Sequence, residues 1–253
     1  MILVLTLWAG AWLTLSGTAE RMGESMTQSF YQISADRGFI VRDVLVEGRK
    51  NADPQVLLGL LDVDRGDPIF AFDPAAARNA LQQVSWIETV RIERRLPGVI
   101  YVSITERQPF ALWQNQGKLR LIDPKGVVIT DVAQDMARFR ELPLVVGDGA
   151  QKAAYALFTL LQAEPLLIER VEAAMYVGDR RWDLKMKNNL LVRLPEDDLS
   201  LALRRLAEAH ETDLLLDKEM ESLDLREQGR IVVRTRPGAV QEYKASFKTG
   251  SAI

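Results

Sequence analysis

The sequence predicts an α+β protein: an N-terminal transmembrane helix, a β-α-α-β-β domain, then a mixed, mainly antiparallel β domain with packed helices. Three observations carry that expectation. The first 19 residues contain no charged side chain. The stretch from Phe39 to Pro109 changes apolar period from two to helical and back to two. From Trp182 onward, short alternating runs return again and again between turn signals. The corresponding divisions are 1–19 for the span, 20–38 for a juxtamembrane linker, 39–108 for the first domain, 109–237 for the β domain and 238–253 for a flexible tail.

Met1 to Ala19 as a helix would extend roughly 28 Å, close to a hydrocarbon core about 30 Å thick. A membrane anchor is one reading. A cleaved signal peptide is another, with Gly17-Thr18-Ala19 as a small-residue cleavage site. A buried core helix fits less well, because the run is apolar on every side. No Lys or Arg precedes it, so charge does not orient it. Glu20 to Arg37 is polar and mixed, and either continues the helix or links it to the first domain.

In the first domain, Val44 and Val46 share one face of an extended run closed by Gly48 and Asn51. Asp53-Pro54 and Asp73-Pro74 each give a helix start, an N-cap acid followed by proline. Ala77, Ala80, Leu81 and Val84 then recur at helical spacing. Val90 and Ile92 alternate with Arg91 and Glu93, Leu96-Pro97-Gly98 turns the chain, and Ile100, Val102 and Ile104 alternate back. Two helices on one face of a three-stranded sheet is the economical packing of this order. Between the helices, Asp62, Asp64 and Asp67 cluster, but only two alternate and Arg65 lies among them. That is far from a calcium loop, and a solvated loop is expected, with Ile69, Phe70 and Phe72 tucked under the sheet.

The first strand ends in "VEG", and "W-I-x-x-V-x-I-x-R-R-L-P" and "V-x-I-x-E-R-x-P" follow. With the element order, these motifs resemble a POTRA domain, and more narrowly the FtsQ/DivIB family of bacterial division proteins. The resemblance implies a docking module, not a catalyst. It also implies a single span in the inner membrane, the bulk of the chain in the periplasm, and concentration at the division septum.

After Pro109 the pattern turns to β. Phe110 to Trp113, Leu119 to Ile122 and Val127 to Thr130 are short strands, with Asp123-Pro124-Lys125-Gly126 as a turn. Leu142 to Val146 is another strand, and Lys152 to Gln162 a helix with Ala154, Leu157, Phe158 and Leu161 on one stripe. Trp182, Leu184 and Met186 alternate with Asp183, Lys185 and Lys187; Asn188-Asn189 turns; Leu190, Val192 and Leu194 return. A helix bearing Leu199, Ala202, Leu203 and Leu206 intervenes. Leu223 and Leu225, then Ile231, Val233 and Thr235, complete what reads as an antiparallel sheet with one buried face. "L-x-L-I-D-x-x-G-V-V-I" also matches the second domain of the family.

Chemistry is hard to find. A net charge of −3 gives no basic field for nucleic acid. The absence of cysteine excludes disulfides and thiolate metal sites. His210, the single histidine, falls near an apolar helical stripe and reads as a packed residue, since a general base needs an orienting partner. No S-x-x-K, G-x-S-x-G, Walker A or G-x-G-x-x-G occurs. The chain is therefore expected to be no enzyme, with no cofactor, no metal and no small-molecule substrate.

What remains is surface. Arg230 to Arg236 forms a last strand with Arg230, Val232 and Arg234 in an outward row. Edge charges ordinarily protect an edge, but they also select an acidic strand that adds to it. "L-D-L-R" from Leu223 to Arg226, followed by Gly229, resembles the C-terminal docking segment of the family, although Glu227 stands where an aromatic residue is usual. The resemblance implies FtsB-like and FtsL-like division proteins as partners, meeting Arg226, Gly229, Arg230, Ile231, Val232, Val233 and Arg234. It leaves the first domain for an upstream divisome protein. A POTRA-bearing secretion or outer-membrane assembly component would require further POTRA repeats or many amphipathic barrel strands, and neither is present. A periplasmic cell-wall enzyme is the remaining alternative.

Overall fold

The structure, a computed structural model, describes residues 18–131, 136–227 and 229–235. Most of the expected span and all of the expected tail, 238–253, lie outside the described residues. Among the described residues no helix is long and apolar enough to cross a membrane. The chain divides into two compact units between Arg107 and Gln108.

In the first unit, the polar connector is helical: α1 spans Thr18–Asp36. Phe30 of α1 meets Phe70 with ring centroids 5.6 Å apart, and Phe70 meets Phe39 at the same separation. Strand β1 (Asp43–Glu47) leads to α2 (Pro54–Leu61) and α3 (Pro74–Leu81). Each helix starts as its sequence dictates, with Asp53 accepting from Gln55 N and Asp73 from Ala75 N, both at 2.8 Å. Strands β2 (Ile87–Arg95) and β3 (Val99–Glu106) complete a sheet in the order β1-β3-β2. β1 runs parallel to β3 because two helices carry the chain back, and β2 pairs antiparallel through a tight turn. Leu57, Leu61, Ala77 and Leu81 pack with Val90, Ile100, Val102 and Ile104 on one face. Ile69 and Phe72 are buried there as well, and Phe70 is half-buried. In the acidic loop, Arg65 pairs with Asp43 at 2.5 Å and Asp64 N donates to Asp67.

The family motifs have a physical reading here. Gly48 has φ +87°, and a Cβ on it would lie 2.0 Å from the carbonyl oxygen of Ile104. Glu106, the acid of "V-x-I-x-E-R-x-P", is buried and accepts from Lys50 N, Asn51 N, Ala52 N and the Asn51 side chain, all at 2.8 Å. Burial acts to raise its pKa, but the three backbone N–H groups and the Asn51 amide prevail and hold it below the usual carboxylate value.

The second unit is built on one nine-stranded sheet. Its elements are β4 (Ala111–Asn115), β5 (Lys118–Ile122), β6 (Val128–Asp131), α4 (Met136–Phe139), β7 (Leu144–Val146), α5 (Ala150–Gln162), α6 (Pro165–Ile168), β8 (Val171–Val177), β9 (Arg181–Met186), β10 (Leu191–Arg193), α7 (Leu199–Asp213), a 3-10 turn (Leu215–Asp217), β11 (Met220–Asp224) and β12 (Val232–Thr235). The strand order is β12-β11-β10-β9-β8-β7-β4-β5-β6. Helices α5 and α7 cover one face, with Leu157, Phe158, Leu203 and Leu206 against Trp182, Leu184 and Val192. Asp123 holds its turn by accepting from Lys125 N and Val127 N at 2.9 and 2.8 Å. His210 is buried on α7, and its Nδ1 accepts from Leu216 N at 3.4 Å.

Three sequence expectations need correction. β8 was not foreseen: its Ala173 and Ala174 are both buried, so adjacent small residues hide the period of two. The sheet as a whole is mixed and mainly antiparallel, as expected, but the strands from Trp182 onward are not all antiparallel: β10–β11 pair in parallel, as β4–β7 and β7–β8 do earlier. For β10 and β11 the intervening α7 is the reason, because a helical crossover returns a strand in the same direction. Finally, β12 has no buried face; all four of its residues are exposed.

Candidate docking edge

The C-terminal edge begins where β11 ends. Leu223 and Leu225 point into the core, so Asp224 faces away from it, beside Arg193 of β10 in the parallel register. Arg226 folds back over Asp224. Its Nε donates to both carboxylate oxygens at 2.9 and 3.0 Å, and its Nη2 donates to Oδ2 at 2.6 Å. Arg193 approaches the same carboxylate at 3.8 Å. The hydrogen bonds from Arg226 outweigh the opposing effect of burial and hold the Asp224 carboxyl below its ordinary pKa. This clamp fixes the start of the turn. Gly229 then takes φ +81°, a left-handed backbone that a glycine adopts without strain.

β12 returns antiparallel to β11, with Val233 opposite Leu223 and Arg234 opposite Ser222. It is the last strand of the sheet, and among the described residues β11 is its one neighbour. Val232 is 50% exposed and Val233 42%. Arg230 pairs with Glu227 at 3.8 Å in the open, a contact of little energetic weight. Arg234 has no ion pair among the described residues. An edge of this kind offers backbone donors and acceptors to an added strand, and Arg234 favours an acid beside it.

The structure thus sorts the seven residues that the sequence singled out. Val232, Val233 and Arg234 form the strand. Arg226, Gly229, Arg230 and Ile231 line a groove of about 650 Å³ between the turn and α7. Arg226 is committed to Asp224, and so positions the turn instead of offering a free guanidinium. Sequence reasoning missed the opposite wall, which Leu201, Arg205 and Ala209 supply. The available signal was Leu201, which is 45% exposed and falls off the apolar stripe of its helix. It missed the clamping role of Asp224 too.

Residues 39–107 match the family model for a POTRA domain of FtsQ type, and residues 111–226 match that for the C-terminal part of cell division protein FtsQ/DivIB. The cell division protein FtsQ of Rickettsia felis is 35% identical over 208 residues, 82% of this chain and 77% of that protein. That of Caulobacter vibrioides is 35% identical over 228 residues, 90% and 75% of the two chains. That of Rhizobium meliloti is 34% identical over 242 residues, 95% and 78%. The solved extracytoplasmic domain of DivIB from Geobacillus stearothermophilus aligns at 12% identity with a TM-score of 0.31, over 45% of this chain and 99% of that one. With both family domains in place and relatives of this identity along most of its length, the chain belongs to the FtsQ/DivIB family of cell division proteins.

Proposed function

We propose that this chain is a divisome scaffold of the inner membrane that recruits and links partners at the septum by docking. In this reading residues 1–19 span the membrane, 20–38 connect, and the domains 39–108 and 109–237 stand in the periplasm ahead of a flexible tail, 238–253. FtsB-like and FtsL-like proteins are its partners at the C-terminal edge, where a strand of the former adds to β12. The POTRA surface serves an upstream division protein. The work is recognition, without turnover or cofactor.

The observation that carries this reading is the state of β12: last in its sheet, exposed on both faces, with Arg234 unpaired among the described residues. The test is capture of the full chain on an FtsB-like periplasmic peptide, repeated with Val232→Glu and Arg230→Glu. Loss of about tenfold or more in affinity, ~1.4 kcal/mol, is expected for at least one of them. Unchanged capture by both variants would remove the strand-addition proposal. A fluorescent fusion that fails to gather at mid-cell would remove the scaffold reading as a whole.

A further inference from the structure

Helix α1 carries an apolar stripe that the first unit covers only in part, where Phe30 meets Phe70. Met26 is 71% exposed, Phe30 55% and Ile33 60%. Their spacing, four and then three residues, places them on one helix face. Beside them is a shallow hollow of about 440 Å³ lined by Met26, Phe30, Tyr31, Phe70 and Arg94. Arg94 is exposed and has no ion pair among the described residues. An aromatic and methionine surface with a free guanidinium at its rim suits the boundary between acyl chains and phosphates.

Position in the chain points to the same place. α1 starts at Thr18, after seventeen residues that contain no charge. A second copy is a poorer occupant. Three part-exposed side chains offer roughly a few hundred Å² per chain, and twice that falls short of the ~1,200 Å² of a stable interface. We propose that the Met26–Phe30–Ile33 face of α1, with Arg94, rests on the lipid headgroup surface. The proposal depends on the reading of 1–19 as a span. It also fixes an orientation. Ile33 is about 22 Å along the helix from Thr18, whereas the headgroup layer is only about 5–8 Å deep. α1 therefore lies along the bilayer and does not stand out from it.

The chain has no cysteine, so single cysteines report cleanly. Ile33→Cys and Gln28→Cys, the latter exposed on the opposite side of α1, would each carry an environment-sensitive fluorophore on the full chain. The chain is placed in liposomes of phosphatidylethanolamine and phosphatidylglycerol doped with lipids spin-labelled near the headgroup. Quenching at residue 33 should exceed that at residue 28 at least twofold, and Arg94→Ala should reduce the difference. Equal quenching at the two sites, or disulfide coupling between copies of the unlabelled Ile33→Cys variant in the same liposomes, would overturn the proposal. Carbonate-resistant flotation of the same liposomes reads the span itself. Flotation with Ile33 unquenched removes the α1 contact alone; failed flotation removes the span reading and this one with it.

Discussion

The corner where β1 leaves the first sheet and the edge where β12 closes the second are both strand ends, and they are finished in opposite ways. At the corner, Gly48 lets the backbone pass against Ile104, and Glu106 satisfies three consecutive N–H donors of the next loop. Those N–H groups are satisfied within the fold. At the edge, Arg226 and Asp224 fix the turn, but the strand that follows is exposed on both faces. Buried polar groups must find partners within the fold, while exposed ones remain free to find them elsewhere. Residues that close the corner should therefore govern stability, and residues on the edge should govern docking.

Gly48→Ala is the harshest test of this contrast. A Cβ 2.0 Å from a carbonyl oxygen of the neighbouring strand forces β1 and β3 apart, on top of a backbone at φ +87° that alanine resists. A loss of about 3 kcal/mol or more is expected, read as a lowered denaturation midpoint. A variant within 1 kcal/mol of the parent would mean that the corner is far softer than its geometry implies.

Glu106→Gln should cost about 1.5–3 kcal/mol, because a carboxylate accepting from several donors becomes a neutral amide with one acceptor oxygen. Its pH dependence has a definite sign. The folded-state pKa of Glu106 is depressed, so its contribution is complete above the unfolded value of about 4.3 and is lost as pH falls through the lower folded value. Denaturation curves of the parent should fall in that acid window more steeply than those of Glu106→Gln. Parallel curves would show that Glu106 does not carry the difference.

Much of the corner was legible in the sequence, and less of the edge. The N-cap acids Asp53 and Asp73, the alternation of β2 and β3, and the Asp123 turn rest on local chemistry, which a sequence displays directly. The family motif pointed at Gly48 and Glu106 without saying that they meet through space. β8 escaped because Ala173 and Ala174 are both buried, so no period of two survives. The parallel pairing of β10 with β11 was implied by α7 between them, yet alternating runs on either side suggested hairpins. Leu201 and Asp224 were missed because their roles depend on which elements come together around a groove, information that is not local.

Gly59 offers a milder test, outside both regions. It lies inside α2, and a Cβ there would meet nothing within 4 Å. Gly59→Ala should stabilise the first unit by about 0.5–1 kcal/mol through the reduced freedom of the unfolded chain. If it destabilises instead, the exposed side of α2 is more crowded than its geometry shows.

The smallest expected change in stability belongs to the edge. Val232→Glu and Arg234→Glu alter exposed side chains with no hydrogen bond to lose among the described residues, so each should shift folding by less than about 0.5 kcal/mol. Glutamate is a poor strand former, and Val232 pairs with Asp224 across the ladder, which sets the direction of the small change at that site as destabilising. Arg234 stands opposite Ser222, so a reversed charge has no like charge directly across the ladder and Asp224 only on the diagonal, and Arg234→Glu should be the more nearly neutral of the two. Thermal melts of both beside Gly48→Ala separate fold from docking. If an edge variant melted as early as the corner variant, β12 would be part of what holds the second unit together, and a loss of partner capture in that variant would no longer speak for an added strand.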